Sequence, residues 1–256
     1  SYPKLGRCRQ TTLIITGGTI KSNVYGGAEL GVVEQNTSVN ITGGQVGTQI
    51  GTGSGAYYYG SVFGSGKGSN DNITYPSATP AAEQIPISEA GTTGGNVTVH
   101  LNKDVAANAK GGIVRKVFGC NDMNGTPKGD VLVHIHATQN EGTANIATKV
   151  ESESVYDVDY VFGGGNNADY VPTVSGAKQS TEVIIEGCGL TSIEEVYGGG
   201  FGAATPGTKV EIRGTKIIDN VFGGGYGAGE NNPGANVGIK TDGTTEYGNT
   251  GAGVKT

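Results

Sequence analysis

Six times the chain writes a short phrase ending in Val-aromatic-Gly: Val24-Tyr25-Gly26, Val62-Phe63-Gly64, Val117-Phe118-Gly119, Val161-Phe162-Gly163, Val196-Tyr197-Gly198 and Val221-Phe222-Gly223. A phrase that recurs along one chain marks a repeat architecture, because a unit too small to bury its own apolar face must stack on its neighbours. Upstream of each comes a second phrase: Leu13-Ile14-Ile15-Thr16, Val39-Asn40-Ile41-Thr42, Val97-Thr98-Val99-His100, Val131-Leu132-Val133-His134, Val183-Ile184-Ile185-Glu186, Val210-Glu211-Ile212-Arg213 and the incomplete Val237-Gly238-Ile239-Lys240. Alternating β-branched residues over so few positions read as strands with one buried face, whose first and third members point inward.

Past the inner residue most units place another apolar side chain, Ile20, Val46, Leu190 and Ile217, with Val105 one position late. Glycines such as Gly17-Gly18, Gly43-Gly44, Gly187 and Gly214 lie between and permit corners with positive φ. Each unit therefore reads as strand, corner, short strand, corner and Val-aromatic-Gly strand. The expected fold is all-β: a parallel β-helix, or β-solenoid, of about six to seven coils, with loop insertions at its corners. The insertions are Gly68 to Gly95, Asn121 to Asp130, Asn166 to Ser180 and Ala137 to Glu153. One β-helix domain spans 1–256, with a lead-in over 1–10, coils over 11–240 and a tail or incomplete coil over 241–256. It reads as a segment of a longer protein or fibre, since neither end resembles a cap.

Composition narrows the function. A formal charge of -6 without a basic stripe disfavours nucleic acid, and the longest apolar runs are strand length, too short for a membrane-spanning helix. Cys8, Cys120 and Cys188 lack metal-type spacing, an odd number cannot close entirely into internal disulfides, and Cys120 and Cys188 are expected as small buried or corner residues rather than a bridge. The sequons at Asn36, Asn40, Asn72, Asn96 and Asn124 carry little weight in an Asn- and Thr-rich repeat.

Thr16-Gly17-Gly18-Thr19-Ile20 with Asn23-Val24-Tyr25-Gly26-Gly27, and Asp219-Asn220-Val221-Phe222-Gly223-Gly224-Gly225, resemble the Gly-rich repeats of large surface proteins of Bacteroidota. The resemblance runs from about Thr11 to about Gly229. It implies export, an extracellular or cell-surface location and a structural or adhesive role. The third and fourth units depart from it, with Asn102-Lys103-Asp104 and Ala137 to Glu153 where Gly187-type corners are expected.

Aligning the first strands sets Thr16, Thr42, His100, His134, Glu186, Arg213 and Lys240 in one outward column, with His100 and His134 about 5 Å apart and His136 two residues along. Three imidazoles on one face suit zinc or copper. With no fourth ligand in the pattern, a solvated polar face is the plainer reading, and His100, His134 and His136 remain only candidates. Tyr25, Phe63, Phe118, Phe162, Tyr197 and Phe222 form a second column. Because side chains alternate across a strand, either these rings or the preceding valines face inward, and a buried ring stack is favoured over an exposed one that would invite aggregation or sugar stacking.

The triplets Gly163-Gly164-Gly165, Gly198-Gly199-Gly200 and Gly223-Gly224-Gly225 are not phosphate loops, for no helix or Lys-Ser/Thr follows. Asn166, Asn167 and Asp169, and Glu230 with Asn231 and Asn232, offer calcium ligands without the calcium-roll phrase. The acidic residues Glu151, Glu153, Asp157, Asp159, Glu194 and Glu195 are scattered, and no Ser-His-Asp signature appears, so no catalytic or cofactor-binding residue is assigned. The expectation is a non-catalytic surface scaffold or adhesin whose partners are further copies, adjoining coils or glycans. The alternative is a carbohydrate-binding or polysaccharide-processing β-helix protein.

Overall fold

A computed structural model describes residues 6–50, 57–71, 74–75, 77–105, 111–138, 156–227 and 235–238. In chain order its strands are β1 (Arg7–Cys8), β2 (Thr11–Ile20), β3 (Val24–Tyr25), β4 (Val32–Val33), β5 (Thr37–Val46), β6 (Thr48–Ile50), β7 (Tyr57–Tyr59), β8 (Val62–Phe63) and β9 (Val97–Leu101). They continue as β10 (Ile113–Val114), β11 (Lys116–Phe118), β12 (Val131–Ile135), β13 (Val158–Phe162), β14 (Thr181–Ile185), β15 (Cys188–Tyr197), β16 (Thr208–Ile212) and β17 (Thr215–Phe222). The described helical pieces are two 3-10 turns, Ala81–Glu83 and Ile87–Glu89.

The protein is all-β and built on parallel sheets, an arrangement compatible with a β-helix. In the first sheet β2, β5, β9, β12, β14 and β16 lie side by side, with β10 against the far end of β5. The second runs β3, β8, β11, β13, β15, β17. The chain alternates between the two sheets as it advances. A third, shorter run joins β1 to β4 and passes through Val33, Thr93 and Pro127.

Alternation decides what each sheet buries. In the first sheet Val39, Val99, Val133, Val183 and Val210 form one row, and Ile41, Leu101, Ile135, Ile185 and Ile212 the next. In the second, Val24, Val62, Val117, Val161, Val196 and Val221 are in register. Most of these residues form one continuous core, and burying each such side chain is worth about 2 kcal/mol.

One row beyond, Thr11, Thr37, Val97, Val131, Thr181 and Thr208 are aligned. Thr37 Oγ1 donates to Gly64 O and Thr181 Oγ1 to Gly198 O, at 2.8 and 2.6 Å, and Thr11 and Thr208 bond Gly26 O and Gly223 O in the same way. These hydroxyls tie β2, β5, β14 and β16 to the glycine that follows the ring in the same repeat.

Three details of the expected register are corrected. Val97 and Val131 pair with Thr37 and Thr181 rather than with Val39 and Val183, a slip of two residues that leaves the inward and outward faces unchanged. Val114, past residues 106–110, takes the position expected of Val105, opposite Val46. Ile193 and Ile218, not Leu190 and Ile217, face the core, because a bulge between Cys188 and Ser192 changes which residues point inward; Ile217 is 44% exposed.

Corners are turned by Gly18, Gly44 and Gly187 at positive φ, and also by Asn102 (φ 58°), Asp104 (φ 54°) and Cys188 (φ 47°). Asn102 is buried and secures its turn by accepting from Gly112 N and donating to Ala137 O. This is the left-handed conformation that Asn tolerates better than most residues. Within the 68–95 insertion Ile85 packs on Val32, and its backbone N–H and C=O both bond the Tyr75 hydroxyl. The hairpin β6–β7 is a further insertion. Residues 139–155, most of the Ala137 to Glu153 insertion, and the 241–256 tail lie outside the described residues.

Candidate functional site

In β9 and β12, Val99, Leu101, Val133 and Ile135 point into the core, so His100 and His134 must point out. They pair directly across the two strands, with ring centroids 5.8 Å apart. His136 follows the end of β12, its N–H bonded to Leu101 O, and Glu186 follows the end of β14, its N–H bonded to Ile135 O. These last two positions therefore share a row. His136 turns toward the other imidazoles: its Nε2 is 3.0 Å from His100 Nδ1, and its ring stacks on His134 at 3.7 Å.

Glu186 joins them. Its Oε1 lies 3.0 Å from both His134 Nε2 and His136 Nδ1, while Oε2 faces Arg213 Nη1 at 3.5 Å. His134 Nε2 is buried and at hydrogen-bond distance from the carboxylate, though poorly aligned with it. The side chains of His134 and His136 are 13% and 18% exposed, so these two rings sit largely out of water, while Glu186 is 31% exposed.

That setting governs protonation. Burial, with the neighbouring His136, Lys103 and His134, lowers the His100 pKa to about 4. Burial also lowers the His134 pKa, outweighing the opposite pull of Glu186, and burial followed by the nearby His134 lowers that of His136. For Glu186, burial acts upward, yet His134, His136 and Arg213 together hold the carboxyl below its ordinary value. At neutral pH the group is three neutral imidazoles beside one carboxylate.

The expected outward column is thus corrected. His100 and His134 stand in line with Asn40, Ile184 and Glu211, whereas Glu186 and Arg213 belong to the row of His136. Thr16 pairs with Gly43, across a bulge. Lys240 lies outside the described residues. The pairing also places the buried, unpartnered Oδ1 of Asn40 opposite His100, which the sequence pattern did not single out.

The aromatic column is continuous. Successive centroids from Tyr25 to Phe222 are 5.1, 4.8, 4.8, 4.8 and 4.8 Å apart, with planes nearly parallel. The choice between buried rings and buried valines does not arise in the inner repeats, because there both are covered. The valines fill the space between the sheets, and the rings stack on the opposite face as a second cluster. Phe201 and Tyr226 meet Phe162 and Tyr197 edge-on, and Tyr160 flanks them. At the other end the Tyr25 hydroxyl donates to Asp122 Oδ2 at 2.8 Å. Phe63, Phe118, Phe162 and Tyr197 therefore present no face for a sugar.

Several of the remaining candidates are committed to structure. Asn166 Nδ2 donates to Asp122, and Asp169 Oδ1 accepts from Ala204 N. Asp159 pairs with the buried Arg115, Asp157 accepts from Thr138 Oγ1, and Glu195 accepts from the Tyr197 hydroxyl. Asn36 and Asn96 each accept a backbone N–H from the next repeat, and Asn124 donates to Ser69 O and Ile87 O. Glu151, Glu153, Glu230, Asn231, Asn232 and Asn72 lie outside the described residues. Cys8, Cys120 and Cys188 are free thiols, Cys120 buried and Cys188 at its corner. Among the described residues no helix is long and apolar enough to cross a membrane.

Compared with protein-family models, curated proteins and solved structures, the chain matches none of them.

Proposed function

We propose that the chain is a stretch of parallel β-helix acting as a non-catalytic structural or adhesive scaffold at a cell surface or outside the cell, and that it lengthens by stacking further repeats of the same kind on its last described one. The observation that carries this reading is the state of that repeat. Ile212, Val221 and Phe222 are 41%, 46% and 41% exposed, yet each continues a row whose earlier members are buried. β16 and β17 are the outermost strands of the two sheets among the described residues. Their outer backbone groups, the open face of the Phe222 ring and the apolar row beside it match what one more repeat would present 4.8 Å further on.

The contact is head to tail. Nothing in such a contact closes it, so it extends along one axis. Sedimentation and electron microscopy over a concentration series test this: Phe222→Asp should abolish elongated assemblies that the unaltered chain forms. A chain that stays a single particle at every concentration overturns the reading. Turnover of a polysaccharide in a reducing-sugar assay would transfer the protein to the enzyme class.

A further inference from the structure

We propose that His100, His134 and His136 form a binding site for one divalent transition-metal ion of the zinc or copper type, supported by Glu186, on the outer face of the first sheet. The inference is independent of the assembly reading above. One ligand atom from each histidine lies within 4.8 Å of the other two, so small side-chain rotations bring all three to the roughly 2.0–2.1 Å from a common ion that imidazole coordination requires. Backbone pairing between β9 and β12 holds two of the rings, and the His136 N–H bond to Leu101 O holds the third. The scaffold is therefore set before any ion arrives.

A solvated polar face does not account for the details. His134 Nε2 is buried and poorly aligned with Glu186 Oε1, 3.0 Å away, so a donor atom is held inside the cluster rather than offered to water. Coordination would give this atom a fully aligned partner. Glu186 supplies what the sequence pattern lacked. Its Oε1 is placed either to accept the Nδ1 proton of His136, orienting that ring as carboxylates do behind metal-bound histidines, or to enter the coordination sphere beside His134.

Charge must also be weighed. Lys103 and Arg213 act on the cluster against a cation, but Arg213 is engaged with Glu186 Oε2 and Glu211, and Asp104 acts on His100 in the opposite sense. The donor set is nitrogen-rich, which favours zinc, copper or nickel over calcium or magnesium. The histidines come from two successive repeats and Glu186 from the next, so the ion and its carboxylate would staple neighbouring repeats together.

The test uses the tag-free chain. Calorimetry with zinc chloride at pH 7.5 should give one site of micromolar or tighter affinity, and zinc should raise the melting temperature while magnesium and calcium leave it unchanged. Cobalt(II) should give the visible absorption bands of a nitrogen-ligated, low-coordinate ion. His134→Ala should abolish the melting shift and the cobalt bands, and Glu186→Gln should weaken zinc about 10-fold or more. Should His134→Ala fail to fold, His100→Gln serves the same purpose, since its side chain is nearer the original in size. Absence of zinc binding and cobalt bands in the unaltered protein overturns the proposal, as does an unchanged response in a folded histidine variant.

Discussion

Thr37 Oγ1 donates a 2.8 Å hydrogen bond to the carbonyl of Gly64, across the space between the two sheets. The same tie recurs at Thr181 and Gly198, and it is replaced by apolar contact where Val97 and Val131 occupy the row. Valine thus fits the site, and Thr37→Val isolates the hydroxyl. The carbonyl left without this donor should cost about 1–2 kcal/mol, read as a lower urea midpoint with an unchanged slope.

Equivalent glycines should differ sharply in tolerance. A Cβ on Gly163 would lie 2.2 Å from Gly198 O, with Thr181 Oγ1 at 2.8 Å, whereas one on Gly223 would meet nothing within 4 Å. Gly163→Ala should unfold or strongly destabilise the adjoining repeats, by about 3 kcal/mol or more. Gly223→Ala should leave the melting temperature unchanged. Thermal denaturation of the two variants side by side decides the matter.

The register makes a second contrast. Ile185 is fully buried between Ile135 and Ile212, so Ile185→Asp should place an unpaired charge in the core and abolish cooperative unfolding. Ile212→Asp, in the same row but on the outermost described strand, should be the milder change, and Arg213→Asp, facing outward, milder still. Circular dichroism melts rank the three, and equal melting temperatures would contradict the assigned rows.

Alkaline pH should weaken the fold through Tyr170. Its ring is fully buried and its hydroxyl donates to Gly129 O at 2.8 Å; burial, followed by Cys120 and Asp130, pushes its pKa far above 10. The neutral phenol is the form the folded state keeps. An unfolded chain ionises near pH 10, so the stability present below that value is lost progressively as pH climbs above it. Tyr170→Phe should flatten this alkaline loss in denaturant titrations between pH 8 and 11, at a cost of about 1 kcal/mol at neutral pH.

Much of this protein is written locally. Val-aromatic-Gly and the alternating phrases before it specify strands, which residues share a face, and a stacked architecture, because side-chain direction has period two and each unit is incomplete alone. A slip of two residues preserves that parity. Local pattern therefore could not distinguish Val97 opposite Thr37 from Val97 opposite Val39, nor foresee the bulge at Cys188 that turns Ile193 inward. The Thr-to-Gly ties, the left-handed turn at Asn102 and the burial of both valines and rings arise only when distant segments meet. Glu186 shows the same division. Its charge is plain from the sequence, but its place beside His134 and His136 depends on the inter-strand register, which backbone pairing across the assembled sheet decides.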